Sequence, residues 1–195
     1  NAELTDSQFK FAEEWPAITD FQANLNFTNN SMLITGRDGE LMGLDVKGTK
    51  VAINDLANKQ ILTVDTPIAA VSAKNVSQLI DQSPLKKSVG SVLTHLNVSG
   101  NISGQFDLTL PLNDLDSAVA RGVINFSNNN MALKAPRIDL QNIQGRLSFI
   151  NDKINTENLS LTWQELPLNI DVSAQEKTEY FDTDIQFSAN WQPND

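Results

Sequence analysis

The chain has 195 residues, with 24 acidic and 14 basic side chains, a formal net charge of -10 and 40% apolar residues. That balance excludes the basic footprint that nucleic acid demands, and it argues against docking by charge on an anionic membrane surface. With no cysteine, disulfides and cysteine-ligated zinc or iron–sulfur sites are excluded as well. The purely apolar runs, such as Ile68–Val71, are too short to span a bilayer. Asn1 opens the chain without a charged start and apolar core, so the expectation is a processed protein or an excised piece, with any membrane anchor elsewhere.

Apolar residues recur at every second position along most of the chain, which predicts strands with one greasy and one wet face. Phe21–Phe27 (FQANLNF) places Phe21, Ala23, Leu25 and Phe27 together. Ala73–Leu96 breaks the pattern. Val76, Leu79 and Ile80 predict a short helix. Ser83-Pro84 then reads as a second helix start, with Leu85, Val89, Val92, Leu93 and Leu96 at helical spacing. Strands resume at Gly104–Leu112, where Phe106, Leu108, Leu110 and Leu112 align, and continue in Leu159–Trp163 and Leu166–Ala174. The last strand is Phe181–Trp191, FDTDIQFSANW. Alternation of this kind is an antiparallel signature, because parallel strands buried on both faces read as continuous apolar runs. Turns are expected at Asn29-Asn30, Arg37-Asp38-Gly39, Asn113-Asp114, Asn128-Asn129-Asn130 and Asn151-Asp152.

NFTNNSM (Asn26–Met32) and NFSNNNM (Asn125–Met131) nearly match, and Gly48 and Gly145 each precede a hydrophobic strand reaching Ile53 and Ile150. This predicts an internal repeat, approximately 21–72 and 120–175, flanking a helical insert at 74–96. Repeated strand pairs that add end to end build an elongated sheet.

Catalytic constellations are scarce. His95, the one histidine, suits a helix C-terminus and leaves no nucleophile–base–acid trio to assemble. Gly100–Gly104 lacks the lysine and the strand-to-helix context of a phosphate loop. Asp182 and Asp184 share the polar face of a strand, and Asp114 and Asp116 fall in a turn that does not match a calcium loop. Neither a metal nor a cofactor is implied. A carboxylate-dependent glycosidase is the enzymatic alternative to a binding or structural role.

The apolar faces pose the central question. A ten-residue strand is about 33 Å long, whereas a helix of about 12 residues covers only about 18 Å. The greasy surface must close on itself as a sandwich or barrel, or curl into a trough that a ligand fills. In a sandwich, Phe126, Trp163 and Phe187 meet an opposing sheet. In a trough they line one concave side.

The motifs Trp15-Pro16, GELMGLDVKG (Gly39–Gly48), SPLKKSVGSVL (Ser83–Leu93), VSGNISGQFDLTLPL (Val98–Leu112), ARGVINFSNNNMAL (Ala120–Leu133), NIQGRLSFIND (Asn142–Asp152) and LPLNIDV (Leu166–Val172) follow in that order. Together they resemble the YhdP branch of the AsmA-like proteins over nearly the whole chain. The resemblance implies a mostly β, elongated, twisted antiparallel sheet curled into an apolar trough, with one or two short helices near 74–96. It implies one internal segment, 1–195, of a larger periplasmic protein anchored to the inner membrane of a Gram-negative bacterium. The implied partners are phospholipid or another acyl-chain ligand and neighbouring repeats of the same protein, with an edge-strand dimer expected of an isolated fragment. On this reading the lining is Phe21, Leu25 and Phe27 near the start of the chain, and Phe106, Leu108, Leu110, Ile124 and Phe126 in its middle. Leu159, Leu161, Trp163, Leu168 and Ile170 follow, with Ile185, Phe187 and Trp191 at the end. The family offers no catalytic motif to carry over.

Overall fold

A computed structural model describes residues 2–10, 13–58, 60–87, 96–134, 137–176 and 181–189. In chain order the strands are β1 (Ala2–Phe9), β2 (Ile18–Thr28), β3 (Ser31–Leu41), β4 (Leu44–Asp45), β5 (Lys50–Ile53) and β6 (Ile61–Ser72). The helix α1 (Ala73–Asp81) and a 3-10 turn at Pro84–Lys87 come next. Then follow β7 (Leu96–Ser99), β8 (Asn101–Pro111), β9 (Val119–Lys134), β10 (Arg137–Ile150), β11 (Lys153–Trp163), β12 (Leu166–Glu176) and β13 (Phe181–Ala189). They form one sheet of 13 strands, in the path β1-β2-β3-β5-β6-β8-β9-β10-β11-β12-β13, with β4 on β3 and β7 on β9. The pairings are antiparallel throughout, as alternation predicts.

β1 and β13 are the two edges and do not pair with each other, so the sheet is not closed. The sandwich alternative fails here, because a single continuous ladder carries all the described strands and no second sheet faces it. The sheet is nevertheless bent. Phe21 of β2 and Phe149 of β10 line the same cavity, although six strand-to-strand steps separate them in the path. At about 4.8 Å per step a flat sheet would hold them about 29 Å apart. The sheet therefore curls into a trough.

Bulges supply the curvature. Asp20, Asn128, Asn142 and Asn158 have φ of 52°, 64°, 54° and 51°, and each stands beside a register shift or within a two-strand junction in β2, β9, β10 or β11. An asparagine tolerates this left-handed backbone, and a bulge bends its strand and increases the local twist. Each bulge also switches which parity faces inward. In β9 the buried set runs Ala120, Ile124, Phe126 and then Asn129, Met131; in β11 it runs Ile154 and then Leu159, Leu161.

Several local expectations change in the structure. Arg37-Asp38-Gly39 does not turn the chain but lies within β3, where Gly39 takes φ 130°. Asn128-Asn129-Asn130 likewise stays inside β9. The two matching heptads are thus placed differently: Asn26–Met32 crosses the β2–β3 hairpin, and Asn125–Met131 remains in one strand. Helix forms at 73–81, but Leu96 opens β7, paired with Leu133. Ser83 is followed by a 3-10 turn at Pro84–Lys87, and its hydroxyl donates to Ile80 O at 3.4 Å, closing the end of α1. Val89, Val92, Leu93 and His95 lie outside the described residues.

Candidate functional site

The inward-facing side chains register across the sheet as rows. One row runs Leu25, Ile34, Val51, Val64, Leu108, Ala120 from β2 to β9. A second runs Thr66, Phe106, Gly122, Phe149, Ile154, Ala174 from β6 to β12. A third joins Ile102 to Phe126 and Gly145, and Leu159 continues it to Ile170 and Phe187. Glycine alternates with aromatic residues in these rows for a steric reason. The Phe149 ring lies where a Cβ on Gly122 would stand, so the bare backbone gives the ring its place.

The rows divide into two packed clusters. Ile18, Phe21, Ala23 and Val46 form the smaller, with Leu4, Phe9, Leu25, Ile34 and Leu41 against it. The larger is built on β8 to β11 and includes Ala73, Ile80 and Leu85 from the helical insert. Between the clusters lies an apolar cavity of about 540 Å³. Its floor is supplied by residues such as Ile34, Val51, Val64, Phe106 and Ile124, and its roof by Trp15 together with Val76, Leu79, Ile80 and Leu85. The polar side chains at its boundary are few, Lys10, Asp45, Thr49 and Thr66 among them. A concave apolar site with a handful of polar groups at its margin suits a hydrocarbon ligand.

One buried polar group organises the roof. Asn129 Nδ2 donates to Ser99 O at 3.0 Å and to Asn101 O at 2.9 Å, while its Oδ1 accepts from Ser127 N at 2.8 Å. This clamp holds the β7–β8 junction against the β9 bulge. Gly100 O in that junction in turn accepts a 3.0 Å bond from Ala73 N, the first residue of α1.

The residues expected to line a groove fall into three groups. Phe21, Phe106, Leu108 and Ile124 border the cavity. Leu25, Leu110, Leu168 and Ile170 are half-buried against the clusters, and Phe126, Leu159 and Leu161 are buried within the larger one. Phe27, Trp163, Ile185 and Phe187 are exposed, the last two at 57% and 72%. Trp191 lies outside the described residues. Sequence reasoning missed the contribution of β3, β5 and β6 to the floor. The signal existed in Leu62, Val64, Thr66 and Ile68, which alternate like the other strands. It also missed that α1 and Trp15 form a roof, for which sequence offers no signal.

The alternative chemistry finds no assembled site. Asp182 and Asp184 lie on the exposed edge strand β13, and Asp114 accepts a hydrogen bond from Ser117 Oγ within a turn. Among the described residues no group of three or more His, Asp or Glu side chains could hold a metal ion. No described helix is long and apolar enough to cross a membrane.

An open antiparallel sheet, apolar on its concave side and wet on the other, defines the class: a β-trough protein rather than a barrel or sandwich. The family model described as YhdP protein matches residues 1–195, and the chain belongs to that family. It is 30% identical over 190 residues to the intermembrane phospholipid transporter YhdP of Escherichia coli (strain K12), which covers 97% of this chain and 15% of that protein. The chain thus spans a small part of that relative's length. No solved structure matches it.

Proposed function

We propose that the chain is a non-enzymatic segment of an envelope lipid-transport protein, whose apolar groove guides phospholipid acyl chains between the inner and outer membranes. The observation that carries this reading is the set of overlapping apolar rows that together reach from β2 to β13, with a cavity of about 540 Å³ over the part from β2 to β10. Family membership and the similarity to a phospholipid transporter support it.

The physical logic is one of continuity. Burying acyl chain is worth about 0.8 kcal/mol per CH₂, so exposing two chains of about 16 carbons to water would cost roughly 25 kcal/mol. A continuous apolar floor removes that barrier: tails slide along it while the headgroup stays in water. The segment sits in the periplasm within a longer protein whose inner-membrane anchor is elsewhere. The unpaired edges of β1 and β13 take neighbouring segments of that protein by strand addition, and an isolated fragment dimerises there.

The test is lipid capture. The purified chain should carry phospholipid into native mass spectrometry. Phe106→Asp and Leu168→Asp, at two half-buried floor positions, should abolish capture with the circular dichroism spectrum retained. A chain that never takes up phospholipid, or variants that both capture normally, would overturn this function.

A further inference from the structure

Because neighbouring strands are antiparallel, their connections fall at two opposite ends of the sheet. The β2–β3, β5–β6, β8–β9 and β10–β11 connections share one end, where Thr28 pairs with Ser31, Met32 with Ile53, Ile61 with Pro111 and Arg121 with Ile150. The β1–β2 and β3–β4 connections and the helical insert share the other, where Phe9 pairs with Ile18, Leu41 with Leu44 and Ser72 with Asn101.

The two ends differ in chemistry. At the first, Phe27, Ile61, Leu112 and Leu115 are large apolar side chains left in water. The charged residues of its turns are Asp55, Asp114, Asp116 and Asp152, with Arg121 and Lys153 close by. At the second end Lys10 borders the cavity itself, directly after Phe9, whose ring stacks on Phe21 with centroids 5.4 Å apart. Lys47 follows Asp45 of the cavity margin, and its backbone N donates to Asp45 Oδ1 at 2.7 Å. Lys74 precedes Asn75, whose Nδ2 donates to Gly43 O at 3.4 Å in the β3–β4 turn. All three lysines are exposed, and none forms an ion pair among the described residues. Carboxylates stand at this end as well, Glu13, Glu14, Glu40 and Asp45 among them, so net charge does not separate the ends. The difference is a set of three unpaired cations beside an apolar cavity, in a chain with 24 acidic residues against 14 basic.

Resting on the transport reading, we propose that Lys10, Lys47 and Lys74 form a headgroup rim, which takes the anionic oxygens of an acyl-chain lipid and so fixes which way round it lies. The anion is a phosphate or a carboxylate, because an ammonium group on a flexible stem receives either as a point charge. The tails run along the strands towards Phe27, Ile61, Leu112 and Leu115. Eleven-residue strands such as β2 and β3 are about 36 Å long, so an extended tail lies within their length. The reverse orientation would set the anion among Asp55, Asp114, Asp116 and Asp152 and leave the apolar lip wet. A lipid passing from strand to strand therefore keeps its headgroup at the lysine end.

Exposed lysines can be exchanged for glutamine with little effect on the fold. Binding of dioleoylphosphatidylglycerol, uncharged dioleoylglycerol and oleate is measured for the unmodified chain, Lys10→Gln and the triple variant Lys10→Gln/Lys47→Gln/Lys74→Gln. The preference for the phospholipid over dioleoylglycerol should fall up to about fivefold in Lys10→Gln, and roughly tenfold or more in the triple variant. Added salt should lower that preference in the unmodified chain. Dependence on the lysines by either anion bears the rim out, and the tighter of the two names the source. Orientation is read from Trp15, which borders the cavity at the lysine end, in a Trp163→Phe/Trp191→Phe background. A spin label next to the headgroup should quench Trp15 fluorescence more than one at the tail terminus. A preference that survives the triple substitution, or stronger quenching from the tail terminus, overturns the rim. Equal binding of dioleoylphosphatidylglycerol and dioleoylglycerol by the unmodified chain also overturns it and leaves transport standing. A chain that binds none of the three lipids overturns the transport reading itself.

Discussion

Strands β8–β10 and strands β12–β13 carry the same alternation and reach opposite fates. In the first region Leu108, Ile124, Phe126, Leu147 and Phe149 are buried. In the second, Ile185 and Phe187 stand in the open, though Val172 and Ile170 oppose them directly across the ladder. Hydrophobicity does not separate the two regions. Coverage does: β8–β10 lie in the curled part of the sheet with Ala73, Ile80, Leu85 and Trp15 packed over them, and β13 is an edge with nothing above it among the described residues. An alternating strand records which face is apolar, while what meets that face depends on curvature and on distant segments.

Substitutions can break this comparison. The largest effect is expected from Ile143→Ala, at a fully buried position in β10 (0% exposed). Removing that side chain should cost about 3 kcal/mol, through lost burial and the cavity left behind. A urea midpoint that hardly moves would mean the roofed region is as loosely packed as the open one. Asn129→Ala comes next. Asn129 is 1% exposed and its loss leaves Ser99 O, Asn101 O and Ser127 N without their partner, for about 2 kcal/mol. Because the clamp holds the Gly100 junction, hydrogen exchange should also quicken at Ala73 but not in β12. The smallest effect on stability belongs to Phe187→Ser, at a site 72% exposed. Its unfolding free energy should stay within about 0.5 kcal/mol of the parent, while phospholipid capture falls. A large loss of stability there would mean that β13 is covered in solution.

Much of the architecture could be read from residue order. The strands at Phe21–Phe27, Gly104–Leu112, Leu159–Trp163 and Leu166–Ala174 all lie within observed strands or extend one residue past their ends. Asn29-Asn30 and Asn151-Asp152 are the hairpin corners they were expected to be. Asn128-Asn129-Asn130 was not, and the reason is local. Left-handed asparagine serves a hairpin corner and a bulge equally well. Asn29 and Asn128 have φ of 53° and 64°, and nothing within either heptad says which chain will reverse. Leu96 misled for a similar reason: an apolar residue at helical spacing from Leu85 also satisfies a four-residue strand when β9 offers it a partner.

By itself the sequence determined that the chain is built of antiparallel strands with one apolar face, that no catalytic cluster stands out, and that its motifs belong to the YhdP family. These follow from neighbouring residues, because period-two alternation and glycine–asparagine placement act over a few positions. Tertiary structure alone decided that the sheet stays open, that Phe21 and Phe149 share one cavity, and that a nine-residue helix roofs it. Those outcomes sum small bends at several bulges over many strands, and no single stretch of chain contains that sum.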